Sequence, residues 1–118
     1  MSNQRGKYRL GDIILVPFPF TDLNERKVRP GIILSNKIRL NTIIVALVTS
    51  KKVKVKEDTD IHIDKTVKEF KKTGLKVSST VRLSQIATVH TRLVIGKIGD
   101  CNNEIKKEIK SSLKVVFE

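Results

Sequence analysis

Residues 11–36 read GDIILVPFPFTDLNERKVRPGIILSN, and the reading of this stretch decides the fold. Leu10 to Val16, LGDIILV, is a compact apolar run around a Gly-Asp turn and predicts a strand. Pro17 and Pro19 stop it. From Phe18 to Val28 the chain is polar and turn-rich, which predicts an exposed loop of about ten residues, long enough to carry function. Pro30 to Ser35, PGIILS, predicts a second strand, opened by a proline where a strand tolerates one.

Further along, Asn36 to Asn41 reads as a basic turn. Thr42 to Thr49, TIIVALVT, is nearly all apolar and predicts a central strand. Lys51 to Lys56, KKVKVK, alternates with period two and predicts an exposed extension with its lysines on one side. Thr59 to Ile63 alternates as well. Ser79 to Val89, STVRLSQIATV, predicts one long strand with Val81, Leu83 and Ile86 inward, and Leu93 to Ile98 a last one. Only the C-terminus has helical spacing. Asn102 or Asn103 is the N-cap candidate, Glu104 sits in the first turn, and Ile105, Ile109 and Leu113 recur every four residues. The expected fold is mainly β, one domain over residues 1–118: a small curled sheet or barrel with a C-terminal helix packed on it.

The chain has 118 residues, with 24 Lys and Arg against 12 Asp and Glu, for a net charge of +12. Both halves are basic, so a compact domain would attract polyanions: nucleic acid, an acidic protein segment or an anionic membrane. Solubility alone also accounts for lysines. No apolar run approaches the length of a membrane span, and no leader-like segment opens the chain. With one cysteine, Cys101, no internal disulfide is expected, which fits a reducing compartment and a cytoplasmic protein. Aromatic residues are few, so a broad base-stacking platform is not expected.

Two histidines and one cysteine without ligand spacing predict no metal site, and the scattered glycines predict no phosphate loop or cofactor. Arginine and hydroxyl groups remain. Arg29 precedes Pro30, which holds it extended where the long loop enters the second strand. Thr49 and Ser50 end a buried strand. A guanidinium fork and a hydroxyl are donors suited to phosphate oxygens. Taken singly, Arg29 also reads as a surface arginine and Thr49 as an ordinary strand end.

Together these positions carry a resemblance. Gly11 to Asn36 resembles the N-terminal signature of the MazF/PemK (Kid) family of toxin ribonucleases: Gly-Asp, an apolar strand, a loop, Arg-Pro, a second apolar strand. IIVALVTSKK, Ile43 to Lys52, is similar to the family's next strand, and VRLSQIATV, Val81 to Val89, to a later one. The resemblance implies an SH3-like curled barrel and a homodimer. It implies metal-independent, sequence-specific cleavage of single-stranded RNA, leaving 2′,3′-cyclic phosphate and 5′-hydroxyl ends. It also implies a cognate antitoxin whose acidic tail covers the RNA site. By the same resemblance, Arg29 is a catalytic arginine, Thr49 the hydroxyl that orients the phosphate, and Arg82 a second arginine used by some members as general acid. Ser50, Lys51, Lys52, Glu25, Ser84, Gln85, Phe18 and Phe20 are the expected substrate-binding residues.

The chain departs from the pattern at Ser84, where the PemK branch holds an aspartate proposed as general base. Serine cannot do that work at neutral pH, so the base is unassigned, with Glu25, His62 and His90 as candidates. Phe18 and Phe20 read either as stacking groups or as packing that pins the loop. Two other functions stay open. One is a catalytically impaired RNA-binding relative. The other is a poison of a protein target, since the gyrase poison CcdB resembles the same fold.

Overall fold

The computed structural model describes residues 8–18, 27–35, 40–50 and 57–118. The apolar runs become strands because their branched side chains suit a pleated surface. In chain order these are β1 (Asp12–Pro17), β2 (Val28–Ile33), β3 (Thr42–Thr49), β4 (Asp60–Ile63), β5 (Ser79–His90) and β6 (Gly96–Asp100). One helix, α1 (Asn103–Val116), follows. The strands form a single curled sheet in the order β4-β5-β3-β2-β1-β6, so β3, the most apolar run, lies inside it and β4 and β6 are the edges. Neighbouring strands are antiparallel.

Alternate residues of the middle strands face opposite sides and build two clusters. Ile13, Ile32, Ala46, Val48, Ile61, Ile63, Val81 and Leu83 pack with Ile105 and Ile109 of α1. Ile14, Val16, Ile33, Val45, Leu47 and Val89 pack with Tyr8 and Phe18 on the other side. Both sides of these strands are therefore apolar, which is why their sequences run unbroken instead of alternating. β5 joins both clusters through a bulge. Ala46 faces Ile86 but the next residue, Leu47, faces Arg82, so three residues of β5 are extra. The odd insertion reverses the alternation. Val81 and Leu83 pack toward α1 with Ile86 beside them, as the sequence predicts, while Ala87 and Val89 turn to the other cluster.

The Gly-Asp pair is a structural corner. Gly11 has φ +93°, and a Cβ there would stand 2.6 Å from Lys106 Cε and 3.1 Å from Cys101 Sγ. Only glycine lets α1 approach this closely. Asp12 accepts a hydrogen bond from the Arg9 backbone N–H at 2.9 Å and pairs with Lys97 at 3.3 Å. α1 is capped by Asn102, whose Oδ1 accepts from the Ile105 N–H at 2.8 Å.

The elements differ from the sequence reading in several places, beginning with β1, which runs Asp12–Pro17 and includes the proline expected to end it. β2 starts at Val28, ahead of the proline, because Val28 and Arg29 pair with Pro17 and Val16 of β1. The last strand is Gly96–Asp100, because Thr91–Leu93 form a 3-10 turn with His90 as its cap. A second 3-10 turn, Phe70–Thr73, has no apolar period to announce it. Among the described residues, no helix is long and apolar enough to cross a membrane.

Candidate functional site

The end of the sheet where β2 begins and β3 stops carries polar side chains in a row. The β2–β3 ladder pairs Gly31 with Leu47. The same register carried two residues further sets Arg29 opposite Thr49. Thr49 pairs with Thr80 of β5, and Thr80 with His62 of β4. The row is thus His62, Thr80, Thr49 and Arg29, across four adjacent strands. Strand alternation places all four on the side of Leu47 and Ile33, away from α1. Arg82, opposite Leu47, shares that side one pleat along.

Arg29 is the unusual member. Its Nε is buried and, among the described residues, has no hydrogen-bond partner. A buried guanidinium donor left unpaired costs about 1–3 kcal/mol, so the position favours an incoming acceptor. Arg29 also borders a cleft of about 540 Å³, but that cleft opens on the α1 side of the sheet, opposite the row, between Pro30, Val48, Ser50, Leu75, Ser79 and Ile98.

Arg82 is held instead. Its Nε donates to Asp60 Oδ1 at 3.2 Å and its Nη2 to Asp60 Oδ2 at 3.0 Å, and Glu57 Oε1 stands 3.4 Å from Nη2. The hydrogen bond to Asp60 raises the guanidinium pKa above its ordinary value, with the charges of Asp60 and Glu57 adding to the effect. A more tightly held proton makes a poorer acid, so this arrangement suits fixed positive charge better than proton donation. Ser84 donates to Glu57 Oε1 at 2.8 Å, bringing a carboxylate from the turn before β4 to the bulge of β5. Glu57 was not singled out from the sequence, because its partners lie 25 and 27 positions away. Gln85 is part of the bulge and half-buried.

The two histidines separate. His62 is exposed, with Nδ1 3.3 Å from Thr80 Oγ1. His90 pairs with Thr42 at the far end of β3, seven residues from Thr49 and so roughly 23 Å away along the strand. Its Nδ1 accepts from the Arg92 N–H at 3.1 Å, which makes it a cap. Phe18 requires a correction. Its side chain is fully buried, and its Cζ would be 2.9 Å from a Cβ at Gly31, so the ring packs over that glycine and is closed to base stacking. Phe20, Glu25, Lys51 and Lys52 lie outside the described residues. Among the described residues, no three His, Cys, Asp or Glu side chains gather where they could hold a metal.

Burial pushes the Cys101 thiol up to about 11 and so keeps it protonated and unreactive; the nearby Lys106 charge offsets this only in part. Cys101 packs in the helix-side cluster and plays no part in the row.

No curated protein shows significant sequence similarity to the chain. Among solved structures it is similar to the Mycobacterium tuberculosis toxin MazF-mt6, at 18% identity and a TM-score of 0.69, over 90% of this chain and 95% of that one. An endoribonuclease in complex with its cognate antitoxin, from mycobacterial species, matches at 15% identity and TM-score 0.69, over 92% and 93% of the two chains. A mycobacterial endoribonuclease matches at 14% identity and TM-score 0.66, over 92% and 89%. At such identities these likenesses show the fold, a curled sheet closed by one C-terminal helix. Residues 9–117 match the family described as PemK-like, MazF-like toxins of type II toxin–antitoxin systems, so the chain belongs to that family.

Proposed function

We propose that the protein is a metal-independent endoribonuclease that cuts single-stranded RNA at preferred sequences. The observation that carries this reading is the buried Nε of Arg29, without a hydrogen-bond partner among the described residues and in one row with Thr49. The net charge of +12 supports a polyanionic substrate.

RNA brings its own nucleophile, the 2′-hydroxyl. Attack on the adjacent phosphorus forms a pentacoordinate centre with extra negative charge, and departure of the 5′-oxygen leaves a 2′,3′-cyclic phosphate. Arg29 donates to a non-bridging oxygen of that centre and Thr49 orients it, both gaining strength as charge builds. Arg82, fixed by Asp60, adds positive potential one pleat away. Ser50, Ser84 and Gln85 contact the flanking nucleotides, and the family resemblance adds Lys51, Lys52, Glu25 and Phe20 as further substrate-binding residues. DNA lacks the nucleophile and binds without reacting. The protein acts in the cytoplasm as a single-domain homodimer, and a cognate antitoxin with an acidic segment silences it by occupying the cationic row.

The test is incubation of the purified protein with long single-stranded RNAs of varied sequence in the presence of EDTA, followed by end-group analysis. Discrete cuts with cyclic phosphate and 5′-hydroxyl ends, absent in Arg29→Ala, are expected. Intact RNA throughout, with RNA binding retained, overturns the enzymatic reading and leaves a binding protein.

A further inference from the structure

The proposed chemistry needs a group to take the proton from the 2′-hydroxyl, and the row contains one. We infer that His62 is this general base. The inference rests on the ribonuclease reading above and adds a residue to it.

Three observations converge on His62. It shares the row and the sheet side of Thr49 and Arg29, two strands from Thr49 or roughly 10 Å between backbones. Its ring leans inward along that row: β4 is an edge strand, and Nδ1 reaches the hydroxyl of Thr80 on β5, the strand next to Thr49. Thr80 is itself buried, so it offers a fixed partner. When Nδ1–H donates to Thr80 Oγ1, the proton is confined to Nδ1 and Nε2 carries the open lone pair. In that tautomer Nε2 is free to act as a base. His90 is at the other end of the sheet and is used as a cap.

The charged groups facing this part of β4 and β5 are few. Asp60, two residues before His62, is paired with Arg82. Glu57 is engaged by Ser84 and Arg82. Asp64, two residues after it, accepts from Ser78 at 2.9 Å, and that hydrogen bond lowers its pKa below the ordinary value.

In the step itself, the proton on O2′ passes to His62 Nε2. The O2′–P bond forms, the P–O5′ bond breaks, and the leaving 5′-oxygen takes a proton from water. His62 then releases its proton to solvent. A ribose whose phosphate sits at Arg29 and Thr49 has to extend toward β5 and β4 for this transfer, which sets the polarity of the bound strand.

The experiment is single-turnover cleavage of a short RNA carrying one cut site, measured from pH 5 to 9. The parent is compared with His62→Ala, His62→Gln, Glu57→Gln and Arg29→Ala. Each variant is checked for folding by circular dichroism. Affinity is measured with an RNA carrying 2′-deoxyribose at the cut site. His62→Ala and His62→Gln are expected to lose about 10²- to 10⁴-fold in rate at unchanged affinity. They also lose the limb in which the parent's rate rises with pH through the imidazole range. Added imidazole restores part of the rate in His62→Ala and none in His62→Gln. If the parent cleaves, Arg29→Ala does not, and the His62 variants keep the parent's rate and profile, the assignment is overturned while the ribonuclease reading survives. Loss of the limb in Glu57→Gln alone overturns it in favour of that carboxylate. A parent that cuts no RNA removes both.

Discussion

The Asp60 carboxylate grips the Arg82 guanidinium with both oxygens, at 3.2 Å to Nε and 3.0 Å to Nη2, and the Asp60 side chain is wholly buried. Such a fork costs more to break on one side than to replace whole. Asp60→Asn should lower stability by about 3 kcal/mol in urea denaturation. Adding Arg82→Met to that variant should return part of the loss, because it removes the stranded charge. Simple additivity of the two changes would show that the pair is not coupled.

Gly31 and Phe18 form the second pair. An alanine at Gly31 would place its Cβ 2.9 Å from Phe18 Cζ and 3.0 Å from Cε2. Gly31→Ala should therefore cost about 1–3 kcal/mol by overpacking. Phe18→Leu, harmful by itself, should relieve the Gly31→Ala variant. The check is a double-mutant cycle of thermal unfolding.

Arg29 predicts a separation of stability from function. Its buried Nε has no hydrogen-bond partner among the described residues, so Arg29→Ala should leave stability unchanged to within about 0.5 kcal/mol or raise it. RNA cleavage should fall by about 10²- to 10³-fold, the usual cost of removing one donor from a charge-stabilising site. Arg29→Lys should not restore it, because an ammonium lacks the planar fork. Thermal melts and single-turnover rates on the same preparations decide the matter.

Cys101 gives a stability change with a defined sign. Its thiol ionises near 11 in the folded chain and near 9.0 as an ordinary cysteine. The folded protein keeps a proton that the unfolded chain releases. The associated stability is complete below about pH 9 and is lost as pH rises toward 11, amounting to about 2–3 kcal/mol. The stability difference between the parent and Cys101→Ala should shrink across that window. Alkylation of the native thiol at pH 8 should proceed no faster than the chain opens.

β1, β2 and β3 were legible because each carries an aliphatic run bounded by Pro, Gly or Asn, as in IILV and TIIVALVT. The crossing of β5 was not read from the sequence, which predicted one long strand with Val81, Leu83 and Ile86 inward and no bulge. The first residues of β2 were hidden by the proline, which suggested a start where the pairing with β1 is already under way. In the candidate site, Arg-Pro and a hydroxyl closing an apolar run singled out Arg29 and Thr49, and only the family resemblance proposed roles for them. The fork between Asp60 and Arg82 and the link from Ser84 to Glu57 were not legible, because such contacts depend on which strands become neighbours. Phe18 read as a loop aromatic and is a core residue for the same reason: the glycine that receives it lies on the next strand.

A sheet that lends alternate side chains to two apolar clusters has no spare side in its interior. Any polar group in the middle of β1, β2 or β3 would sit in one cluster or the other. New binding chemistry can therefore be acquired only at the margins, where the aliphatic runs stop. Arg29, Thr49, Thr80 and His62 all stand within two residues of a strand end. Substitutions at these positions change the polar margin of the sheet and leave the two apolar clusters of its interior as they are.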